Sequence, residues 1–97
     1  MTVSSIDAPV LAGSRPRAQQ ILNMLPDGDL SQYVVQLECG SMIAATVSFA
    51  DEIIRTVLVD RKAARLEVTN ASDQEFIGYL KQRAKFYHVE DRLQFAS

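Results

Sequence analysis

Two residues in this sequence have side chains suited to covalent or proton-transfer chemistry and occur only once, His88 and Cys39. A general base needs a nucleophile or proton donor beside it, and no Ser-His-Asp or Cys-His spacing surrounds either residue. His88 lies just past an apolar-periodic stretch and reads as a surface or partly packed side chain. Cys39 ends a strand-like run with no basic neighbour in sequence to lower its pKa, so it reads as a small buried hydrophobe. Asp51-Glu52 is an acidic pair, but adjacent residues on a helix point about 100° apart and make no carboxylate dyad. The pair reads instead as a complement to a helix dipole. Gly13, Gly28, Gly40 and Gly78 are scattered and match neither a dinucleotide fingerprint nor a phosphate-binding loop. A lone cysteine also excludes an internal disulfide and the Cys-rich zinc and iron–sulfur sites. The expectation is a protein that is not an enzyme, with no catalytic residue, metal or cofactor.

Charge balance narrows the partners. Ten Lys and Arg stand against twelve Asp and Glu, a net charge of −2, which argues against general nucleic-acid binding and a polybasic membrane anchor. The basic residues fall in short runs (Arg15 and Arg17; Arg61, Lys62 and Arg65; Lys81, Arg83 and Lys85) that read as solvated faces. Residues 1–12 carry neither a basic n-region nor a signal-length apolar run. Nor does any stretch approach the ~20 apolar residues that span a bilayer. A cytoplasmic protein without membrane contact is expected.

The 97 residues suffice for one domain, 1–97, with one modest core; 47% are hydrophobic and 23% charged, as in ordinary soluble domains. Residues 1–12 read as an edge strand with a loose beginning, because Pro9 cannot donate to a central ladder. Such an edge offers a dimer contact, while the proline in it offers a block, and the sequence does not choose. Ser14 is placed to cap a helix with Pro16 in its first turn and an apolar stripe of Ala18, Ile21, Leu22 and Leu25; Gln19, Gln20 and Asn23 should face water. Residues 26–29 turn the chain.

Residues 32–38 are the best central strand, and Val34-Val35 suggests burial on both faces. Residues 41–47 are too apolar for a free loop, with Met42 and Ile43 expected under a helix. Ser48 is the expected cap of a second helix, with Asp51 and Glu52 in its first turn and a broad buried face of Phe49, Ala50, Ile53, Ile54, Val57 and Leu58. A strand follows at 65–69. Ser72-Asp73-Gln74-Glu75 forms a capping box for a third helix, striped by Phe76, Ile77, Leu80, Ala84 and Tyr87, with Lys81, Arg83 and Lys85 mostly outside. Leu93 and Phe95 suggest a short last strand. The order predicts an α/β fold, a small mixed or mostly parallel sheet of about four strands flanked by three helices.

The helix pattern Ser14-Arg15-x-x-Ala18-x-x-Ile21-Leu22, the strand ending Leu37-Glu38 and the run Ser48-Phe49-Ala50-Asp51-Glu52-Ile53 resemble the STAS-like family, over roughly residues 13–88. That family is related to the sulfate-transporter and anti-sigma-factor-antagonist domains. The resemblance implies a small sheet flanked by helices and a role in partner binding. In the antagonists a serine at the start of this helix is phosphorylated by a histidine-kinase-like ATPase, which breaks the complex. Ser48 falls near that serine, although the antagonists' Asp-Ser-Ser-Gly run is replaced here by Thr46-Val47-Ser48-Phe49.

The expectation is therefore a regulatory interaction domain docking through residues 41–52, with Ser41, Thr46, Ser48, Phe49, Asp51 and Glu52 as contacts and Ser48 as the candidate phosphoacceptor. Its partner would be a kinase-like ATPase or a sigma-factor regulator. The alternative is a small-ligand or nucleotide-binding module using the helix start at Ser48 as an anion site.

Overall fold

Alternation along the strands decides where the core lies. In the computed structural model, which describes residues 1–96, the elements in chain order are β1 (Thr2–Asp7), β2 (Leu11–Ala12), α1 (Arg15–Leu22), β3 (Tyr33–Glu38), β4 (Ala44–Ala45), α2 (Val47–Ile54), β5 (Arg65–Thr69), α3 (Gln74–Phe86) and β6 (Leu93–Ala96). Four strands form a sheet in the order β1-β3-β5-β6, parallel throughout, and β2 pairs with β4 in a second, two-stranded parallel sheet. The expected α/β class is thus observed.

Each strand of the larger sheet lies beside the next one in sequence, separated by a helical connection. Right-handed crossovers then carry all three helices to the same face. Ile6, Val35, Leu37, Leu66 and Val68 point to that face and join one core with Ala18, Leu22, Phe49, Ile53, Phe76 and Leu80. Val34 is the one buried apolar residue outside that core, on the opposite face between Val3 and Arg65 in register. Burial of Val34-Val35 therefore does not reflect helices on both sides, as the sequence suggests. Side chains around Val34 cover it on a face otherwise made polar: Ser5 donates to Gln36 (2.8 Å), Gln36 to Glu67 (3.1 Å), and Arg65 pairs with Glu67 (2.9 Å).

Helix ends follow their caps. Ser14 Oγ accepts from Arg17 N at 3.2 Å, as its position predicts, and Pro16 sits in the first turn. The second helix starts earlier than expected: Thr46 Oγ1 accepts from Phe49 N at 3.2 Å, so Thr46 is the cap and Ser48 the second helical residue. Asp51 and Glu52 consequently fall outside the first turn. In the third helix Asp73, not Ser72, caps by accepting from Glu75 N at 3.0 Å.

Beyond Ile54 the second helix widens into an i→i+5 turn over Arg55–Asp60, where Val57 and Leu58 stay buried. Arg92 donates to the carbonyls of Leu58 (2.7 Å) and Ala63 (2.6 Å), satisfying groups at the end of that turn. His88 adopts φ 60° just beyond α3, where its N–H bonds Lys85 O (3.1 Å) and that of Val89 bonds Ala84 O (2.9 Å). The lone histidine thus occupies a left-handed helix-stop position usually filled by glycine.

The one-sided core makes the two faces of β3 unequal. Leu37→Ala should cost about 2–5 kcal/mol because it opens a cavity in a fully buried position. Gln36→Thr on the polar face should cost less than about 1 kcal/mol. Urea unfolding followed by circular dichroism checks the contrast, and equal losses would contradict a one-sided core.

Candidate docking surface

Past the C-terminal ends of β1 and β3 the chain builds a second, smaller platform. Leu11 and Ala12 lie in register with Ala44 and Ala45, and the pair is bracketed by Ile43 N to Val10 O (2.8 Å) and Thr46 N to Ala12 O (2.9 Å). Each short strand leads at once into a helix cap, Ser14 for α1 and Thr46 for α2. The two helix starts therefore lie side by side at one end of the molecule.

This end is apolar. Leu11 is 65% and Ile43 71% exposed, and Val10 and Val47 are also exposed. Single exposed hydrophobes are ordinary, but these four fall on two paired segments and the first position of α2, at one end of the molecule. Beside them, Leu11, Ala12, Gly13, Ala44, Ala45 and Thr46 line an open groove of about 150 Å³. Thr46 supplies the only polar side chain of that lining. Small-molecule sites start near ~300 Å³ and enclose their ligand with several placed polar groups. An open apolar groove of this kind suits a side chain of another protein better than a small polar ligand.

The loop feeding the groove is tethered by Glu38. Its carboxylate accepts from Gly40 N (2.6 Å), Thr69 Oγ1 (2.8 Å) and Asn70 Nδ2 (2.8 Å), and these bonds, Thr69 first, hold its pKa below the usual range. A Cβ on Gly40 would lie 2.6 Å from Glu38 Oε1, so glycine permits this close approach. Ser41 is exposed in the turn that follows. Met42 is buried as expected, but Ile43 points outward instead of under a helix.

The six expected contact residues differ in exposure. Ser41 and Thr46 are exposed and Ser48 is half-buried. Phe49 is 0% exposed and stacks against Phe76 with ring centroids 6.1 Å apart; it is core, not a contact. Asp51 and Glu52 are buried too and serve the interior. Asp51 accepts from Arg15 (2.6 Å) on α1 and from Arg83 (2.9 Å) and Tyr87 Oη (2.8 Å) at the end of α3. Glu52 accepts from Gln19 on α1 and from Arg55 at 2.7 Å, with Arg15 at 3.3 Å. Gln19 and Arg83, expected to face water, are thus recruited by the second helix. The signal for this was present: an acidic pair set between Phe49-Ala50 and Ile53-Ile54 lies on a helix apolar nearly all round, and buried carboxylates are paired. Val10, Leu11, Ile43, Ala44 and Val47 carry no comparable sequence signal, because exposed and buried aliphatics read alike.

The other chemistry-bearing residues stay inert or engaged. Burial, aided by the charge of Glu38, pushes the Cys39 thiol up to about 12, so it remains protonated at neutral pH. Arg61 donates to the carbonyls of Gly28 (2.8 Å) and Pro26, and Arg65 pairs with Glu67, so the basic runs are largely spent inside the chain.

For both carboxylates burial alone favours the neutral form, but the donors outweigh it. Arg15, Tyr87 and Arg83 hold the pKa of Asp51 below its ordinary value, and Arg55 and Gln19 do the same for Glu52. A depressed folded-state pKa contributes stability above the unfolded value, near ~4, that is lost as pH falls through the lower folded value. Asp51→Asn should cost about 1–3 kcal/mol at neutral pH and flatten the acid limb of the stability curve. Urea midpoints between pH 7 and pH 2 check this; an unchanged acid limb would show that Asp51 is not the group titrating. Thr46→Ala should cost about 1 kcal/mol as a lost cap, and Ser48→Ala less than about 0.5 kcal/mol. The reverse order in the same assay would restore Ser48 as the cap.

No protein-family model, curated protein or solved structure matches the chain.

Proposed function

We propose that this chain is a non-catalytic regulatory domain that docks onto a protein partner through the paired helix starts, resembling the anti-sigma-factor antagonists of the STAS-like family. The observation that carries the reading is the exposure of Val10, Leu11, Ile43 and Val47 on the segments that form and flank the open groove. Exposed apolar surface of this kind, with the polar residues Ser41, Thr46 and Ser48 on the same segments, is a mark of protein association. The family resemblance supplies the partner class, a histidine-kinase-like ATPase or a sigma-factor regulator.

Ser48 is the candidate switch. Thr46 does the capping, so the Ser48 hydroxyl is not needed for it. A phosphate at the second helical position would meet the positive end of the α2 dipole. The carboxylates of Asp51 and Glu52, further along the same helix, are neutralised by Arg15, Arg83 and Arg55. Adding about −1.5 to −2 charges at the rim of an apolar patch would weaken a partner's hydrophobic contact there. The anion-site alternative has less support, because the groove is apolar and Arg15, at the start of α1, is held by Asp51 and Glu52.

The test is capture from native extract on immobilised wild-type, Ile43→Asp, Ser48→Ala and Ser48→Glu chains, read by mass spectrometry. A kinase-like ATPase or sigma regulator should bind wild type and Ser48→Ala and fall at least tenfold on Ile43→Asp and Ser48→Glu, all four retaining wild-type circular dichroism. Equal recovery on all four would remove this surface from the interface. A rise in melting temperature with nucleotide or phosphate, and no protein captured, would favour the ligand-binding module.

A further inference from the structure

The outer edge of β1 is unprotected. In the ladder with β3, Thr2 N bonds Gln32 O (3.1 Å) and Ala8 N bonds Glu38 O (2.8 Å), so the even-numbered residues of β1 face β3. By the two-residue period, the N–H and C=O groups of Val3, Ser5 and Asp7 point away from the sheet. Proteins guard such edges with lysine, proline, a bulge or a very short strand. β1 has none of these. It runs for six residues in unbroken one-to-one register with β3 and contains no Lys, Arg or Pro. Pro9, which the sequence places at this edge, lies beyond the end of β1 and blocks nothing. The opposite edge differs: β6 has four residues, and Lys81 Nζ stands 5.6 Å over the ring of Phe95.

We propose that β1 pairs antiparallel with β1 of a second copy of this chain, joining two four-stranded sheets into one. The two-fold axis passes between the two Ser5 residues, and Val3 faces Asp7 of the partner subunit. Each outward residue then meets another outward residue, giving about six backbone hydrogen bonds across the junction. The match also keeps faces aligned. Val3, Ser5 and Asp7 all belong to the polar face, so both helical layers lie on one side and both polar faces on the other.

Charge is compatible as well. Asp7 is the one charged side chain of the strand, and this register sets the two copies about 13 Å apart, beyond the ~8 Å screening length at physiological salt. Paired serines at the axis are a favourable cross-strand combination. The apolar patch at the helix starts lies at the C-terminal end of the strands, so an antiparallel pair presents two such patches at opposite ends.

Sedimentation equilibrium of the full chain tests this, with Ser5→Pro and Val3→Glu as variants. Ser5→Pro removes an outward N–H, where an edge strand tolerates proline, together with the exposed side-chain bond to Gln36. Val3→Glu sets a carboxylate opposite Asp7 of the partner subunit, a like-charge pair that opposes the junction. Wild type should sediment at twice the chain mass at high concentration, and each variant should raise the dissociation constant at least tenfold. Amide exchange supplies the residue pattern. In the concentrated wild type the N–H groups of Val3, Ser5 and Asp7 should be protected at least tenfold more than in dilute wild type or Val3→Glu, while Ser4 and Ile6 stay protected throughout. A wild-type chain that is monomeric at all concentrations overturns the proposal. So does a dimer that both variants leave intact, or an open-ended polymer, which would implicate the β6 edge.

Discussion

Right-handed crossovers between strands that are neighbours in both sequence and space leave a chain no choice about its layers. Here they place α1, α2 and α3 on one face of the β1-β3-β5-β6 sheet, and most other features follow. α2 occupies the middle, with the sheet beneath it and a helix on either side. Six consecutive residues, Phe49 to Ile54, are buried as a result. The opposite face, unusually for a parallel sheet, carries the hydrogen-bonded polar side chains Ser5, Gln36, Arg65 and Glu67. That polar row lets a parallel sheet stand with one face in water.

The position of α2 also explains its acids. A helix buried on nearly all sides has no solvent face on which to carry Asp51 and Glu52, so their charge must be met by neighbours. Arg15 and Gln19 reach them from α1, Arg83 and Tyr87 from the end of α3, and Arg55 from the following turn. Buried ion pairs roughly break even against hydrophobic replacements, so their value here lies in geometry more than in net stability. One pair of carboxylates thus ties α1 and the end of α3 to α2.

The helix starts are where the fold has surface left to use. In open α/β sheets the carboxyl ends of the strands are the customary place for binding. This chain puts there two short paired strands and exposed aliphatic side chains, without a cluster of polar groups in the groove. Fold alone does not assign a function, and the protein partner proposed above rests on the chemistry of this surface. An edge-paired dimer would keep that surface free, because β1 meets its copy along the side of the sheet, away from the strand ends.

Much of this was legible in the amino-acid order. Periodicity and turn residues determined the class, the order of the main strands and helices, the Ser14 cap, the 65–69 strand and the short last strand, but not the break of residues 1–12 into β1 and β2 or the pairing of β2 with β4. Local rules placed the second and third helix starts within two residues but chose Ser48 and Ser72 over Thr46 and Asp73, because several adjacent residues can each accept from the first turn. What tertiary structure alone decided was orientation. Phe49 and Ile43 are both apolar residues near one helix start, yet one lies in the core and the other in solvent. Asp51 and Glu52 look like a solvated dipole complement until two neighbouring helices enclose them. A one-dimensional pattern records which residues alternate, but burial depends on which elements the crossovers bring alongside, and that is settled only when the layers close.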